Sequence, residues 1–193
     1  MPRVKLFDEN EVLIKATELF WKKGYYATSI QDLVNYLGIN RGSLYDTFGG
    51  KKELFDKAFR LYRMNNAKGL KAFFESKSNV KSGLRELFEK GIIESIADKD
   101  KKGCFVVNST IELIPGDQEM LKILLENKTI FENVFYEFLF KGQQNGEIPI
   151  NKNLKTISRL FYTFYSGLKV VAKVQSEPTE LLNSVDEIMQ LLD

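Results

Sequence analysis

The side chains best suited to chemistry lie in one short stretch, Gly38-Ile39-Asn40-Arg41-Gly42-Ser43-Leu44-Tyr45. Asn40, Arg41 and Ser43, followed by Asp46 or Thr47, are polar groups able to hydrogen-bond base edges or phosphates. Arg41 offers two donors that match O6 and N7 of guanine, a pairing worth ~1–3 kcal/mol of discrimination. Hydrolytic chemistry is harder to assemble. The chain contains no histidine, which removes the Ser-His-Asp triad, the Cys-His dyad and the commonest zinc ligand sets. It also has neither a Gly-rich phosphate loop nor a carboxylate cluster of recognisable spacing. DNA readout is the leading interpretation, with a helical enzyme and a helical interaction protein that binds no DNA as alternatives.

To reach a major groove, such residues need a short helix held across a second one by an apolar interior and a tight turn. Residues 30–48 meet these demands. Ile30, Leu33, Val34 and Leu37 recur at helical spacing, and Gly38 supplies the left-handed stop. Asn40 caps the next helix, which carries Leu44, Tyr45 and Phe48 and ends at Gly49-Gly50. Leu33, Leu37, Ile39, Leu44 and Phe48 form the inner face. Thr28 with Gln31 reads as the capping box of the first of these helices, and Asp8 with Glu11 opens an earlier one through Val12, Ala16, Leu19 and Phe20. A fourth helix starts near Lys51 and runs to about Phe74. Others are expected at roughly 81–97, 104–113, 118–145, 153–175 and 178–192, with no convincing strand. The expected fold is all-α, with an N-terminal three-helix helix-turn-helix DNA-binding domain over 1–50 and a larger C-terminal helical domain over 51–193.

Several linked motifs at fixed spacing extend this pattern: Ala16 with Leu19 and Phe20, Gly24-Tyr25-Tyr26-Ala27-Thr28-Ser29-Ile30, Leu37-Gly38-Ile39, Gly42-Ser43-Leu44-Tyr45, then Phe48, Lys51 and Glu53-Leu54-Phe55. Across them the chain closely resembles the TetR family of bacterial regulators. Residues 103–115 also look like one branch of that family. The resemblance implies phosphate contacts from Thr28, Tyr45 and Lys51 and groove contacts from Asn40, Arg41 and Ser43. Gly42 would let the helix backbone come close to the DNA. Three positions depart from the family pattern: Val34, where a small alanine is usual, and Asp46 and Thr47, where an aromatic and a histidine often stand. Asp46 beside a phosphate would be repulsive, so it reads cytosine N4, points away, or weakens binding.

Composition sets the frame. Hydrophobic residues make up 44% and charged residues 28% of the 193, ordinary globular usage. The net charge of +2 is too small to argue for nucleic acid by itself. Its distribution says slightly more: residues 1–63 hold 11 Lys and Arg against 8 Asp and Glu, whereas 64–193 hold 17 against 18. Arg3 and Lys5 could add a basic arm. No apolar run approaches the ~20 residues needed to span a bilayer, and the opening residues do not read as a secretory signal, so a cytoplasmic location and no membrane partner are expected. Cys104 is the only cysteine. Lys101 and Lys102 nearby invite a redox-sensor interpretation, but with no resolving partner in the chain a small residue buried at a helix start is favoured.

In the C-terminal domain, aromatic residues at helical spacing are expected mainly to fill a core. The stretch 153–175 is apolar on more than one face, so it needs a second partner. With the last helix it suggests a four-helix homodimer interface including Phe164, Gly167, Leu168, Val171, Leu181, Val185 and Ile188. The family resemblance implies the same. It further implies a small-molecule inducer pocket, for which Phe105, Asn108, Phe135, Tyr162 and Tyr165 are the expected lining. No cofactor and no metal are expected. The resulting reading is a dimeric repressor on a palindromic double-stranded DNA operator, released when ligand binding tilts the helix that starts at Lys51.

Overall fold

Asp8 has extended backbone angles, and its carboxylate accepts from the Asn10 and Glu11 N–H groups, satisfying amides that the first turn of a helix leaves unpaired. Helix α1 (Glu9–Lys23) follows, with Glu9 and Glu11 in its first turn and Lys22 and Lys23 in its last, the order that complements a helix dipole. These positions belong to a computed structural model that describes residues 7–175 and 177–193. The arm expected of Arg3 and Lys5 lies outside the described residues.

The cap of α2 (Ile30–Leu37) falls one residue later than the Thr28–Gln31 pattern predicts. Ser29 Oγ accepts from the Asp32 N–H at 3.0 Å, and the Asp32 carboxylate accepts from the Ser29 N–H at 2.8 Å. Thr28 is unavailable because it is fully buried and its hydroxyl donates to the Gly24 carbonyl at 2.6 Å. Lys23 closes the same corner with an ion pair to Asp32 at 2.9 Å. The Ser29 backbone hydrogen bond first, then those from Lys23 and Ser29 Oγ, hold the Asp32 carboxyl well below its ordinary 3.8. A lowered folded-state pKa adds stability at pH values above 3.8 and loses it as the pH falls through the folded value. Asp32→Asn is accordingly expected to melt at a lower temperature than the natural chain at pH 7. The gap should narrow on acidification below 3.8, as followed by circular dichroism.

Gly38, at φ 69° and ψ 26°, provides the left-handed turn into α3 (Arg41–Phe48), which Asn40 caps. After α3 the chain enters α4 (Lys51–Glu75), followed by α5 (Val80–Ala97), α6 (Phe105–Leu113), α7 (Gln118–Gln144), α8 (Leu154–Val171) and α9 (Thr179–Met189), with a short 3-10 turn at Gln190–Leu192. The described residues contain no strand. They divide into two compact units, 1–66 and 67–193. The division therefore falls inside α4, whereas the sequence suggested the loop ahead of it.

In the first unit, Val12, Ala16 and Phe20 of α1 share a buried interior with Leu33 and Leu37 of α2, Leu44 and Phe48 of α3, and Leu54, Phe55 and Phe59 of α4. Phe20 meets Phe55 edge-on at 5.1 Å, and the Thr17 hydroxyl donates to the Ala58 carbonyl at 3.3 Å, tying α1 to α4. In the second unit α7 lies along α8, and α5 packs against α7, α8 and α9. Phe74, Phe88, Phe135 and Phe161 occupy its centre, with Phe88 edge-on to Phe161 at 5.5 Å. Glu147, after α7, accepts from the Val80 N–H at 2.7 Å and so helps cap α5. Leu168, Leu181 and Val185, expected at a dimer interface, are buried in this core. Buried at 4%, 7% and 0% exposure, they have little surface to offer a second copy.

Gly103 turns the chain into α6 at φ 66°, and a Cβ there would lie 2.8 Å from Lys173 Cδ and 3.2 Å from the Lys169 carbonyl oxygen. Both the backbone angle and the close approach need glycine. Gly103→Ala should cost ~1–2 kcal/mol, as a lowered thermal midpoint, from that strained conformation.

Candidate nucleic-acid interface

Helix α3 is amphipathic in a simple way. Leu44 and Phe48 face inward, leaving Arg41, Gly42, Tyr45 and Asp46 exposed as two adjacent rows one turn long. Asn40 is also exposed, but its side-chain oxygen is engaged: it accepts from the Ser43 N–H at 2.8 Å. Its amide N–H groups, and the second lone pair of that oxygen, remain for another partner. Gly42 is what makes room for that cap, since a Cβ there would meet Asn40 Oδ1 at 3.3 Å and no other neighbour. Ser43 and Thr47 are half-buried beside the rows.

The two cations expected to meet DNA are each held by an aromatic ring. The Arg41 guanidinium lies 5.9 Å from the ring centroid of Tyr45, one turn along α3, and the Lys51 ammonium lies 4.4 Å from that of Tyr25. Burial, first among several causes, raises the Tyr25 phenol above its ordinary 10.0. Tyr45 also lies beside Gly50 at the start of α4, where a Cβ would be in ordinary contact with the ring at 3.6 Å. The structure thus brings Asn40, Arg41, Gly42, Ser43 and Tyr45 together on α3, with Lys51 at the head of α4. Thr28 is the correction. Fully buried and bonded to Gly24, its side chain cannot reach a phosphate and instead latches the turn before α2. Asp46 stays on the exposed face.

The residues expected to line a ligand pocket occupy several environments. Phe105 and Phe135 are almost completely buried. Phe135 meets Phe74, Phe161 and Tyr165 at ring distances of 5.6, 6.5 and 6.3 Å. The Asn108 amide donates to the Lys102 carbonyl at 2.8 Å. Tyr165 packs over Gly91 and carries the Lys169 ammonium 4.4 Å from its ring centroid. Half-buried Tyr162 lies 6.0 Å from Phe131 and hydrogen-bonds with Ser166 and Asn127. Burial and then Cys104 push its phenol above the usual range, against those two bonds. Asn127 was not singled out from the sequence. At 2% exposure it is a buried amide in the middle of α7, and only its contact with a residue on another helix marks it. A cleft of ≈ 240 Å³, lined by Lys71, Phe74, Glu75, Val134, Glu137, Phe138 and Lys141, also lies in this unit and contains none of the five expected residues.

Residues 12–58, which span α1 to the first turns of α4, match the model of bacterial regulatory proteins, tetR family. Over 195 aligned residues, covering 100% of both chains, the protein is 33% identical to the uncharacterized HTH-type transcriptional regulator YezE of Bacillus subtilis. The chain belongs to the TetR family. As a TetR-family protein it is a DNA-binding transcriptional regulator. It is also 30% identical to the HTH-type transcriptional repressor ComR of Escherichia coli, over 98% of this chain and 90% of ComR. Among solved structures, a cysteine mutant of the TetR family transcriptional regulator CifR, complexed with 26 bp double-strand operator DNA, has the same fold. Its TM-score is 0.87 at 23% identity, covering 99% of this chain and 100% of CifR. No described helix of this TetR-family regulator is long and apolar enough to cross a membrane.

Proposed function

We propose that this regulator is a cytoplasmic homodimeric repressor that reads a palindromic double-stranded operator with α3 and is released by a small-molecule ligand bound in the second unit. The observation that carries the reading is the exposed row of Arg41 and Tyr45 beside Asn40 and Gly42, backed by Lys51. Arg41 reads guanine, while Tyr45 and Lys51 hold the phosphates that set the register. The repressor ComR and the operator-bound CifR support this assignment by similarity. Dimerisation follows from α8, whose outward line of Leu160, Thr163, Gly167, Val170 and Val171 is exposed, as is Val174 in the turn that follows it. Val171 is 42% and Val174 85% exposed, an apolar stripe of the kind a second copy covers.

Release needs a ligand with different affinity for two states of the second unit. Tyr162, Asn127 and Ser166 form the polar group best placed to orient one among aromatic walls. A mobility-shift assay with the DNA upstream of the neighbouring gene tests operator binding, whose affinity should fall steeply as salt rises. A compound that raises the thermal midpoint of the free protein should weaken operator binding, since coupling between two sites is reciprocal. Stabilising compounds that leave operator affinity untouched would count against release.

A further inference from the structure

Two lysines open α4, and the structure treats them differently. Lys52 pairs with the Asp56 carboxylate one turn along the same helix, at 2.9 Å. Lys51 lies against the face of Tyr25, 4.4 Å from the ring centroid. A ring attracts a cation through its quadrupole, so it helps fix where an ammonium sits.

Tyr25 is itself firmly placed in the connection between α1 and α2. Its ring is edge-on to Phe55 at 5.0 Å and to Tyr26 at 5.4 Å, and it stacks on Phe20 at 6.4 Å. Phe20 and Phe55 belong to the buried interior of the first unit. The ring is therefore an extension of the core that ends under the Lys51 ammonium. A flexible four-carbon side chain is held there over a rigid surface, beside the exposed end of α3.

We propose that Tyr25 is a positioning residue for DNA binding: its ring face holds the Lys51 ammonium at the head of α4, oriented for a backbone phosphate before DNA arrives. This rests on Lys51 being a phosphate contact. The role belongs to the ring face and not to the hydroxyl, so phenylalanine should serve and an aliphatic side chain should not.

The test is operator affinity as a function of salt for the natural chain, Lys51→Ala, Tyr25→Phe, Tyr25→Leu and the double variant Tyr25→Leu/Lys51→Ala, with thermal melting of each. Lys51→Ala should reduce the salt slope by about one for each protomer on the operator, about two for the dimer. Tyr25→Leu should weaken binding about two- to five-fold for each protomer on the operator, the fold-change equivalent of an exposed cation–π contact, and Tyr25→Phe should bind like the natural chain. In the Lys51→Ala background, Tyr25→Leu should cause no further loss. A loss of equal size in both backgrounds would mean that Tyr25 only supports the fold and would overturn the positioning role alone. So would a Tyr25→Phe protein as weak as Tyr25→Leu. Natural affinity and salt slope in Lys51→Ala would instead remove the phosphate contact, and the positioning role with it.

Discussion

Gly167→Arg is expected to leave the chain folded, abolish dimerisation and weaken operator binding by ~100-fold or more. Gly167 is exposed, and a Cβ built on it meets no atom within 4 Å, so the fold has room for a side chain. Arginine is also the better helix former by roughly 0.8 kcal/mol. In an isologous interface each copy presents the same patch to the other, so the substitution would bring two guanidinium groups toward one seam and strip water from both. Joining two DNA-binding units raises affinity ~10²–10⁴-fold over one alone, and a monomer loses that gain. Sedimentation, circular dichroism and operator titration on one sample check the three parts. A dimer with undiminished operator affinity would show that α8 is not where two copies meet.

Arg41→Ala should weaken operator binding ~5–150-fold for each half-site, compounded over the two half-sites of a symmetric operator, while changing affinity for scrambled DNA far less, because each bidentate arginine–guanine pair carries ~1–3 kcal/mol of discrimination. Arg41 is exposed in the first turn of α3, with its guanidinium over Tyr45. That contact sets the starting direction of a planar fork of donors whose value lies in its geometry. Lys51→Ala should behave differently, weakening all sequences alike. The contrast between the two variants is the informative quantity, and it is measured by competition between operator and scrambled duplexes at fixed salt. Equal, sequence-blind losses in both would remove Arg41 from base readout.

The helix-turn-helix was legible in the sequence because its determinants are local. Gly38 at the turn and Asn40 at the cap act within four residues, and Leu33, Leu37, Leu44 and Phe48 repeat at helical spacing. The cap of α2 was not legible to the residue, since Thr28 and Ser29 both carry hydroxyls. Burial against the Gly24 carbonyl decided between them. The second unit was read less well for a related reason. A helix apolar on several faces, such as α8, does not declare which face its neighbours cover. Leu168 turned inward, whereas Val170 and Val171 stayed outside. Phe105 and Phe135 carried the aromatic character of a pocket wall and became core. Asn127 and Tyr162, which do share a polar site, lie on different helices and far apart in the chain. The same holds for Tyr25 and Lys51: side-chain type announces the chemistry available, and only the fold brings two such residues together.

Selection of bound duplexes from a random DNA pool tests most directly whether this chain reads an operator as a dimer. The expected result is a two-fold symmetric consensus with guanine at equivalent positions in its two half-sites, their centres one or a whole number of helical turns apart, about 34–36 Å per turn. Failure to enrich any sequence, or enrichment of a single half-site with no symmetric mate, would contradict it.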